Sequence, residues 1–511
     1  MELAIYTIRS KQDYIYKTNR VVEIVGASEI ISRAWEFLFE KAEEDGLRIQ
    51  KQDKTFQFDE IKTAFENEQL DMVELFCGGG NNTVLFRDKG SFIKANKVFS
   101  YHVLKDYPGM IPMAVSVKVS GNYKDDYKKL LEKSDKEKNI MIPGRNQFIL
   151  PFSIMDRDIF QPMTDVDQGI RYPKERLSKR KMGTELRDDG NAMEAIKLLD
   201  KMVTKRGEES LLAVIHADGN NMGSKISALL GEETSYDYCV NAMRAFTADT
   251  NKAFVEDGLK AISDCQKRLM DKYRKHKGYT DAKGNLKKYL FAIRKVIADG
   301  DDMTLICNAR FAMEYTRAYV QAVQEYHKDK KTRWAYSSCA GICIFHSHYS
   351  FAEAYRLAEK ACDDGAKAMV HMVGSDGRNK TIEEGWVDFH YIHSGVGGDL
   401  QTIRRMQGTE DAMGRPWRID GQDITCNKAY EKLEKLAKIL REHQVSRTDI
   451  KNLGIDWENS KEMGFASLQR VYGHHAGLAE TIRTRLKWDD ELLMKALYDL
   501  AEIYDLWFAE E

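Results

Sequence analysis

The sequence predicts an α+β fold: two ferredoxin-like domains followed by a C-terminal α-helical domain. Two observations carry this. A strand, helix, hairpin, helix, strand order runs through the chain twice, with the hairpin turns in matching places. After Gln401 the apolar spacing becomes helical to the end, as in a bundle. Length agrees, because 511 residues exceed one ordinary core and suggest about three domains.

The first copy opens with the apolar run Leu3-Ala4-Ile5-Tyr6-Thr7-Ile8, then a helical pattern over Ala27 to Glu43. Met72 to Cys77, the turn Gly78-Gly79-Gly80-Asn81-Asn82 and Thr83 to Phe86 read as a β-hairpin. Ala114 to Val119 alternates as a strand should. The second copy opens with Leu211 to His216, followed by helical spacing over Tyr236 to Met270. Its hairpin is Lys295 to Ala298, Asp299-Gly300-Asp301-Asp302, and Met303 to Cys307. A helix over Phe311 to Glu325, a strand over Ser338 to Phe345 and a helix over Ser350 to Met372 complete it, around one antiparallel sheet. Between the copies, Arg171 to Arg187 is basic and reads as a solvated loop, with RNA contact as the alternative. Lys272 to Lys288 reads as a surface excursion. The bundle helices are expected over Lys428 to Glu442, Phe465 to Lys487 and Asp490 to Phe508. Domain boundaries fall at 1–150, 151–206 (a linker holding the basic segment), 207–395 and 396–511.

Composition excludes several classes. The 78 Lys and Arg balance 80 Asp and Glu, which argues against a basic nucleic-acid coat. The eight cysteines form no C-x-x-C pair, so they read as reduced thiols, with neither a disulfide framework nor a zinc ribbon. The start Met1-Glu2-Leu3-Ala4 lacks the marks of a signal peptide, and no apolar stretch reaches membrane-spanning length. A cytoplasmic protein without membrane contact is the expectation.

Three carboxylates stand out. Asp218 ends the first strand of the second copy, and Asp301 and Asp302 sit at its hairpin tip. The first strand and the hairpin are neighbours in a ferredoxin-like sheet, so the three meet. Clustered carboxylates repel unless a cation neutralises them. Oxygen ligands suit Mg2+ or Mn2+, and a pair of ions would clamp a phosphoryl transfer. Gly219 and Gly300 would let backbone approach phosphates closely. The blander reading is that D-G and G-D pairs serve hairpin turns for backbone reasons alone. His216 reads as a satisfied core histidine, Cys339 and Cys343 as core fillers, and His346 with His348 as a strand end.

These residues resemble a family. The second copy resembles the catalytic palm of the large polymerase-like subunit of type III CRISPR complexes, related to diguanylate cyclases. Its D-x-x-N-x-G motif is matched by Asp218, Asn221 and Gly223, and its G-G-D-D hairpin by Gly300, Asp301 and Asp302. The small-residue strand Ser338 to Ile344 and the helix ending in Ala366-Lys367 also match. The first copy resembles the degenerate palm of that family, through Gln12, Tyr14, Ile15, Arg20, Gly26, Ala27 and Ser28. The resemblance implies that Lys367 contacts nucleotide phosphates and Ser338 a base edge. It also implies that Gly79, Gly80 and Asn81 cradle a second nucleotide facing the first.

Asp299 replaces the first glycine of the hairpin motif; it could disturb the metal geometry, add a ligand or face solvent. No His-Asp dipeptide occurs, so the family's nuclease domain is expected to be missing, as is its zinc module. The implied function is a nucleotidyltransferase or cyclase in antiviral defence, making a cyclic (oligo)nucleotide messenger from ATP or other nucleoside triphosphates. Asp218, Asp301 and Asp302 would hold two metal ions. The alternative is a non-catalytic nucleotide-binding subunit, or a scaffold partnered by RNA and CRISPR-like subunits. The sequence leaves the oligomeric state open, a homo-oligomer included.

Overall fold

The structure is a computed structural model. It describes residues 1–18, 20–52, 55–140, 156–157, 162–163, 165–167, 170–185, 202–205, 209–231, 233–329, 333–373, 379–381, 383–393, 398–407, 409–419 and 426–508. Most of the linker expected over 151–206 lies outside these residues. The chain divides into two compact units, one spanning 1–197, 221–255 and 296–301, the other 198–220, 256–295 and 302–511.

The first unit is built on a five-stranded sheet. Its strands are β1 (Glu2–Arg9), β2 (Ile49–Gln50), β3 (Met72–Gly78), β4 (Asn81–Phe86) and β5 (Ile111–Lys118), in the order β2-β3-β4-β1-β5. β1 runs antiparallel to both neighbours, and Leu3 to Ile8 are all buried, which explains an apolar run without alternation. Its helices include α1 (Val21–Ser32), α2 (Ala34–Glu44), α3 (Lys89–Asp106), α4 (Tyr123–Ile140), α5 (Lys174–Glu185), α6 (Met222–Leu229) and α7 (Tyr236–Thr250). Tyr6 lies between Trp35 and Phe99, with ring centroids 6.3 and 6.2 Å away, so aromatic packing fixes the helical layer on β1.

Two expectations need correction in this unit. The helix expected over Ala27 to Glu43 is two helices, α1 and α2, broken at Arg33. The basic stretch from Arg171 is not a solvated loop within the described residues, because α5 packs on α1. A Cβ on Gly26 would lie 1.8 Å from the Lys179 carbonyl oxygen, so only glycine lets the two helices approach this closely. Burial is tolerated because the charges are paired. Arg176 forks onto Glu23, which is fully buried, at 3.1 Å per bond, and Lys179 donates to Glu175 and to the Tyr14 carbonyl.

The second sheet has six strands: β6 (Leu211–Gly219), β7 (Ile293–Asp299), β8 (Asp302–Asn308), β9 (Ser338–His346), β10 (Trp386–Tyr391) and β11 (Trp417–Arg418). The order is β7-β8-β6-β9-β10-β11. The core four strands repeat the arrangement β3-β4-β1-β5, so the ferredoxin-like layout occurs twice. The sheet is mixed, not purely antiparallel: β10, which sequence reasoning missed, lies parallel to β9 because the chain crosses over through a helix to reach it.

Helices α8 (Gly258–Lys272), α9 (Ala312–Asp329) and α10 (Phe351–Lys360) belong to the second unit. The helix expected to reach Met372 ends at Lys360, passes into a π-helical turn over Ala361–Ala366 and a 3-10 turn over Lys367–Met369, and gives way to a strand over His371–Val373. The pattern over Tyr236 to Met270 is likewise interrupted by a π-helical stretch, Asn251–Asp257. The excursion after Lys272 is pinned at Tyr279, which is buried against Phe291.

The C-terminal helices are α11 (Tyr430–Glu442), α12 (Arg447–Asn459), α13 (Lys461–His474), α14 (Leu478–Leu486) and α15 (Asp490–Ile503). α12 was not foreseen, and Phe465 to Lys487 breaks at Gly477, whose φ of 76° cannot continue a helix. On β10, Asp388 is fully buried and held by a two-bond Arg404 fork at 2.8 and 2.9 Å. Arg415 pairs with Glu502, and Asp499 accepts from the Trp417 indole at 2.8 Å.

Candidate functional site

The second sheet brings Asp218 and Asp302 together. β6 and β8 pair from Leu212↔Asn308 to Ala217↔Met303. One step further along this register Asp218 comes beside Asp302, the first residue of β8; such cross-strand positions have Cβ atoms about 4.5–5.5 Å apart. On the other flank of β6, Asp218 pairs with Cys339 and Gly219 with Ser338. Small residues in β9 let the covering helix close down: a Cβ on Gly341 would lie 1.9 Å from the Ala358 carbonyl oxygen of α10.

Each carboxylate is already engaged. Asp218 Oδ1 accepts from the Gly219 N–H at 2.9 Å, and Oδ2 accepts from Lys367 Nζ. Asp363 Oδ1 lies 3.8 Å from the same ammonium. Burial pulls the Lys367 pKa down, but Asp218 and its neighbours outweigh it and raise the group above its ordinary value, so it is a cation. His216 Nδ1 lies 3.2 Å from Thr304 Oγ1 and 3.5 Å from Asp302 Oδ1. Burial lowers the His216 pKa despite the nearby Asp218, Glu359 and Asp363, so the imidazole is neutral and its Asp302 contact is polar, not ionic. This agrees with a core histidine.

The remaining residues fall into three places. Gly300, with φ 62°, and Asp301 form the turn between β7 and β8. Asn221, at φ 60°, precedes α6 without a side-chain capping bond, while its neighbour Asn220 donates to Ser337 Oγ at 2.8 Å and to the Glu384 carbonyl at 2.9 Å, pinning the loop after Gly219. Ser338 is fully buried, and its hydroxyl donates to the Cys339 carbonyl at 3.3 Å.

In the first unit Gly79 and Gly80 have φ of 57° and 66°, which fits a type I′ hairpin turn between β3 and β4. Asn81 follows as the first residue of β4. Lys11 Nζ donates to the Gly79 and Gly80 carbonyls at 3.4 and 2.9 Å. Asp299, the departure from the motif, is exposed, and its Oδ2 lies 3.6 Å from where a Gly80 Cβ would sit.

The donor set at Asp218 and Asp302 suits a hard divalent ion. It consists of carboxylate oxygens at adjoining strand ends, one of them now neutralised by an ammonium. A roomy cavity, about 1060 Å3, lies elsewhere, at the other end of β6 among Leu211, His390 and Arg415. Lys11 is the contact that sequence reasoning missed at the first hairpin; its chain position, far from the turn, gave no signal.

The fold is that of a palm-type domain repeated twice. Residues 211–379, about a third of the chain, match the family model described as Cas10/Cmr2, second palm domain. The chain resembles the large palm subunit of type III CRISPR systems. It is similar to a Csm1–Csm4 cassette crystallised with pppApA (12% identity, 97% of this chain and 69% of that one, TM-score 0.46). It is also similar to the Csm1–Csm4 subcomplex of a type III-A CRISPR-Csm interference complex (11% identity, 97% and 70%, TM-score 0.47). A third likeness is to Csm1 in T. onnurineus (11% identity, 98% and 69%, TM-score 0.43). No curated protein matches. No described helix is long and apolar enough to cross a membrane.

Proposed function

We propose that this protein is a nucleotidyltransferase acting in the cytoplasm, making a cyclic (oligo)nucleotide from ATP or another nucleoside triphosphate in antiviral defence. A ribose hydroxyl of one nucleotide attacks the α-phosphorus of another; the new ester bond forms, the hydroxyl proton passes to solvent, the bond to the β-phosphate breaks and pyrophosphate leaves. The observation that carries this reading is the convergence of Asp218 and Asp302 at adjoining strand ends, inside the segment that matches the Cas10/Cmr2 palm.

Asp218, Asp302 and the adjacent turn residue Asp301 would hold Mg2+ or Mn2+, which supplies charge neutralisation at the triphosphate. Lys367 exchanges its Asp218 partner for a phosphate oxygen. The backbone of Gly219 and Gly300 approaches the phosphates, and Asn221 orders the loop between them and α6. Gly79, Gly80 and Asn81 supply contacts to a second nucleotide. RNA and other CRISPR-like subunits are the expected partners.

The test is incubation with α-labelled ATP and Mg2+, with chromatography of the products. Pyrophosphate release that disappears in Asp302→Ala supports the reading; release unaffected by Asp218→Ala and Asp302→Ala overturns it. A second reading, a nucleotide-binding or scaffold subunit without turnover, is favoured by the Lys367 ammonium standing on Asp218. Calorimetry separates the two: nucleotide affinity without product formation selects the second.

A further inference from the structure

Behind the carboxylate pair lies a different donor set. One ligand atom each from His216, Cys362 and Asp363 falls within 4.8 Å of the other two. His216 sits on β6, 4% exposed; Cys362 is fully buried; Asp363 opens to solvent. Cys362 and Asp363 are consecutive, and in an α-helix consecutive side chains diverge by roughly 100°. They lie in the π-helical turn Ala361–Ala366, a rare geometry that recurs at functional sites. This turn is the one that brings both side chains to the same imidazole. As a core filler, Cys362 needs neither the histidine nor the carboxylate; its thiol already donates to the Cys339 carbonyl at 3.4 Å.

We propose that His216, Cys362 and Asp363 form a binding site for a thiophilic divalent cation of the Zn2+ class, next to the oxygen-ligand site at Asp218 and Asp302 but with its own donor set. Sulfur, imidazole and carboxylate together select Zn2+ over Mg2+, which takes oxygen donors. On binding, the Cys362 thiol gives its proton to solvent and the thiolate bonds the metal; the exposed side of Asp363 is the entry, and water completes the coordination. The bound ion would tie the π-turn to β6, two residues before Asp218 and four residues before Lys367. The assignment does not depend on nucleotidyl transfer.

The probe is Co2+, titrated into the full chain with Mg2+ in excess to saturate the oxygen ligands. A near-ultraviolet thiolate-to-Co2+ charge-transfer band at one equivalent, displaced by Zn2+, is the expected result. It persists in Asp218→Asn and disappears in Cys362→Ser. Asp363→Asn, at an exposed position that leaves folding intact, weakens Co2+ binding by about tenfold or more. Absence of the band in the folded wild-type chain overturns the proposal, as does a band that survives Cys362→Ser or an affinity unmoved in Asp363→Asn.

Discussion

The two hairpins occupy the same place in sheets of the same strand order, yet they present opposite chemistry. In the first sheet the last pair between β1 and β4 is Thr7↔Asn81. In the second sheet the corresponding position holds Asp218 beside Asp302. The first turn is a pair of positive-φ glycines whose carbonyls accept from Lys11; the second is Gly300-Asp301. The backbone thus tolerates either a neutral or an anionic tip, since the strand order behind it is the same. The difference lies in what the tip presents, carboxylates in one case and backbone carbonyls contacted by the Lys11 ammonium in the other.

The largest expected effect breaks the comparison at the chemistry. Asp218→Ala or Asp302→Ala lowers product formation on the order of 10²–10³-fold, the scale of losing one preorganised charge contact. Asn81→Ala changes it only a few-fold; equal losses in a steady-state assay with labelled ATP would mean that the hairpins are not chemically distinct.

The second effect is on stability, and it concerns the second unit. Burial, helped by Arg404 and Arg415, pushes His390 down from 6.5 to about 3. Burial alone would push Glu502 up, but Arg415 holds it down at about 2, from 4.5. Both folded values lie below the unfolded ones. Their contributions are therefore complete above pH 6.5 and 4.5 and are lost as pH falls toward 3 and 2. Burial raises Asp499 to about 6 against the pull of Arg415, which offsets part of this loss between pH 6 and 4. The net loss for His390 is on the order of a few kcal/mol. Denaturant melts from pH 7 to 3.5 should show it, and His390→Gln should flatten the profile.

A third test sharpens the first unit. Gly26→Ala forces a Cβ against the Lys179 carbonyl and costs about 1–3 kcal/mol by overpacking, read as a shift of the denaturation midpoint. The smallest effect compares the turns directly. Gly80→Ala and Gly300→Ala each place a side chain at positive φ, costing roughly 1 kcal/mol, and at Gly80 the flexible Lys11 ammonium, 1.8 Å from the new Cβ, must also move aside. Similar stability losses with turnover reduced more in Gly300→Ala would fit the contrast; the reverse order in the activity assay would contradict it.

Much of this was legible from the sequence because strand and turn signals are local. The apolar runs at Leu3 and Leu211 and the glycine turns at 79–80 and 300 marked both hairpins and the positions of Asp218 and Asp302. Helix ends were less legible, since π-turns such as Ala361–Ala366 keep an apolar rhythm while changing the geometry. The basic segment was misread because charge suggests solvent, whereas Glu23 and Glu175, distant or unremarkable in sequence, bury its cations. Lys11 and β10 were missed for the same reason: their partners are tertiary.

The π-turn before Lys367 has a consequence for insertions and deletions. Losing a single residue between 361 and 366 would restore ordinary helical winding, at about 100° per residue. Every later side chain of that segment would swing around the axis, and the ammonium now on Asp218 would point elsewhere. One codon, far from either aspartate, would disconnect the lysine with all three side chains still encoded.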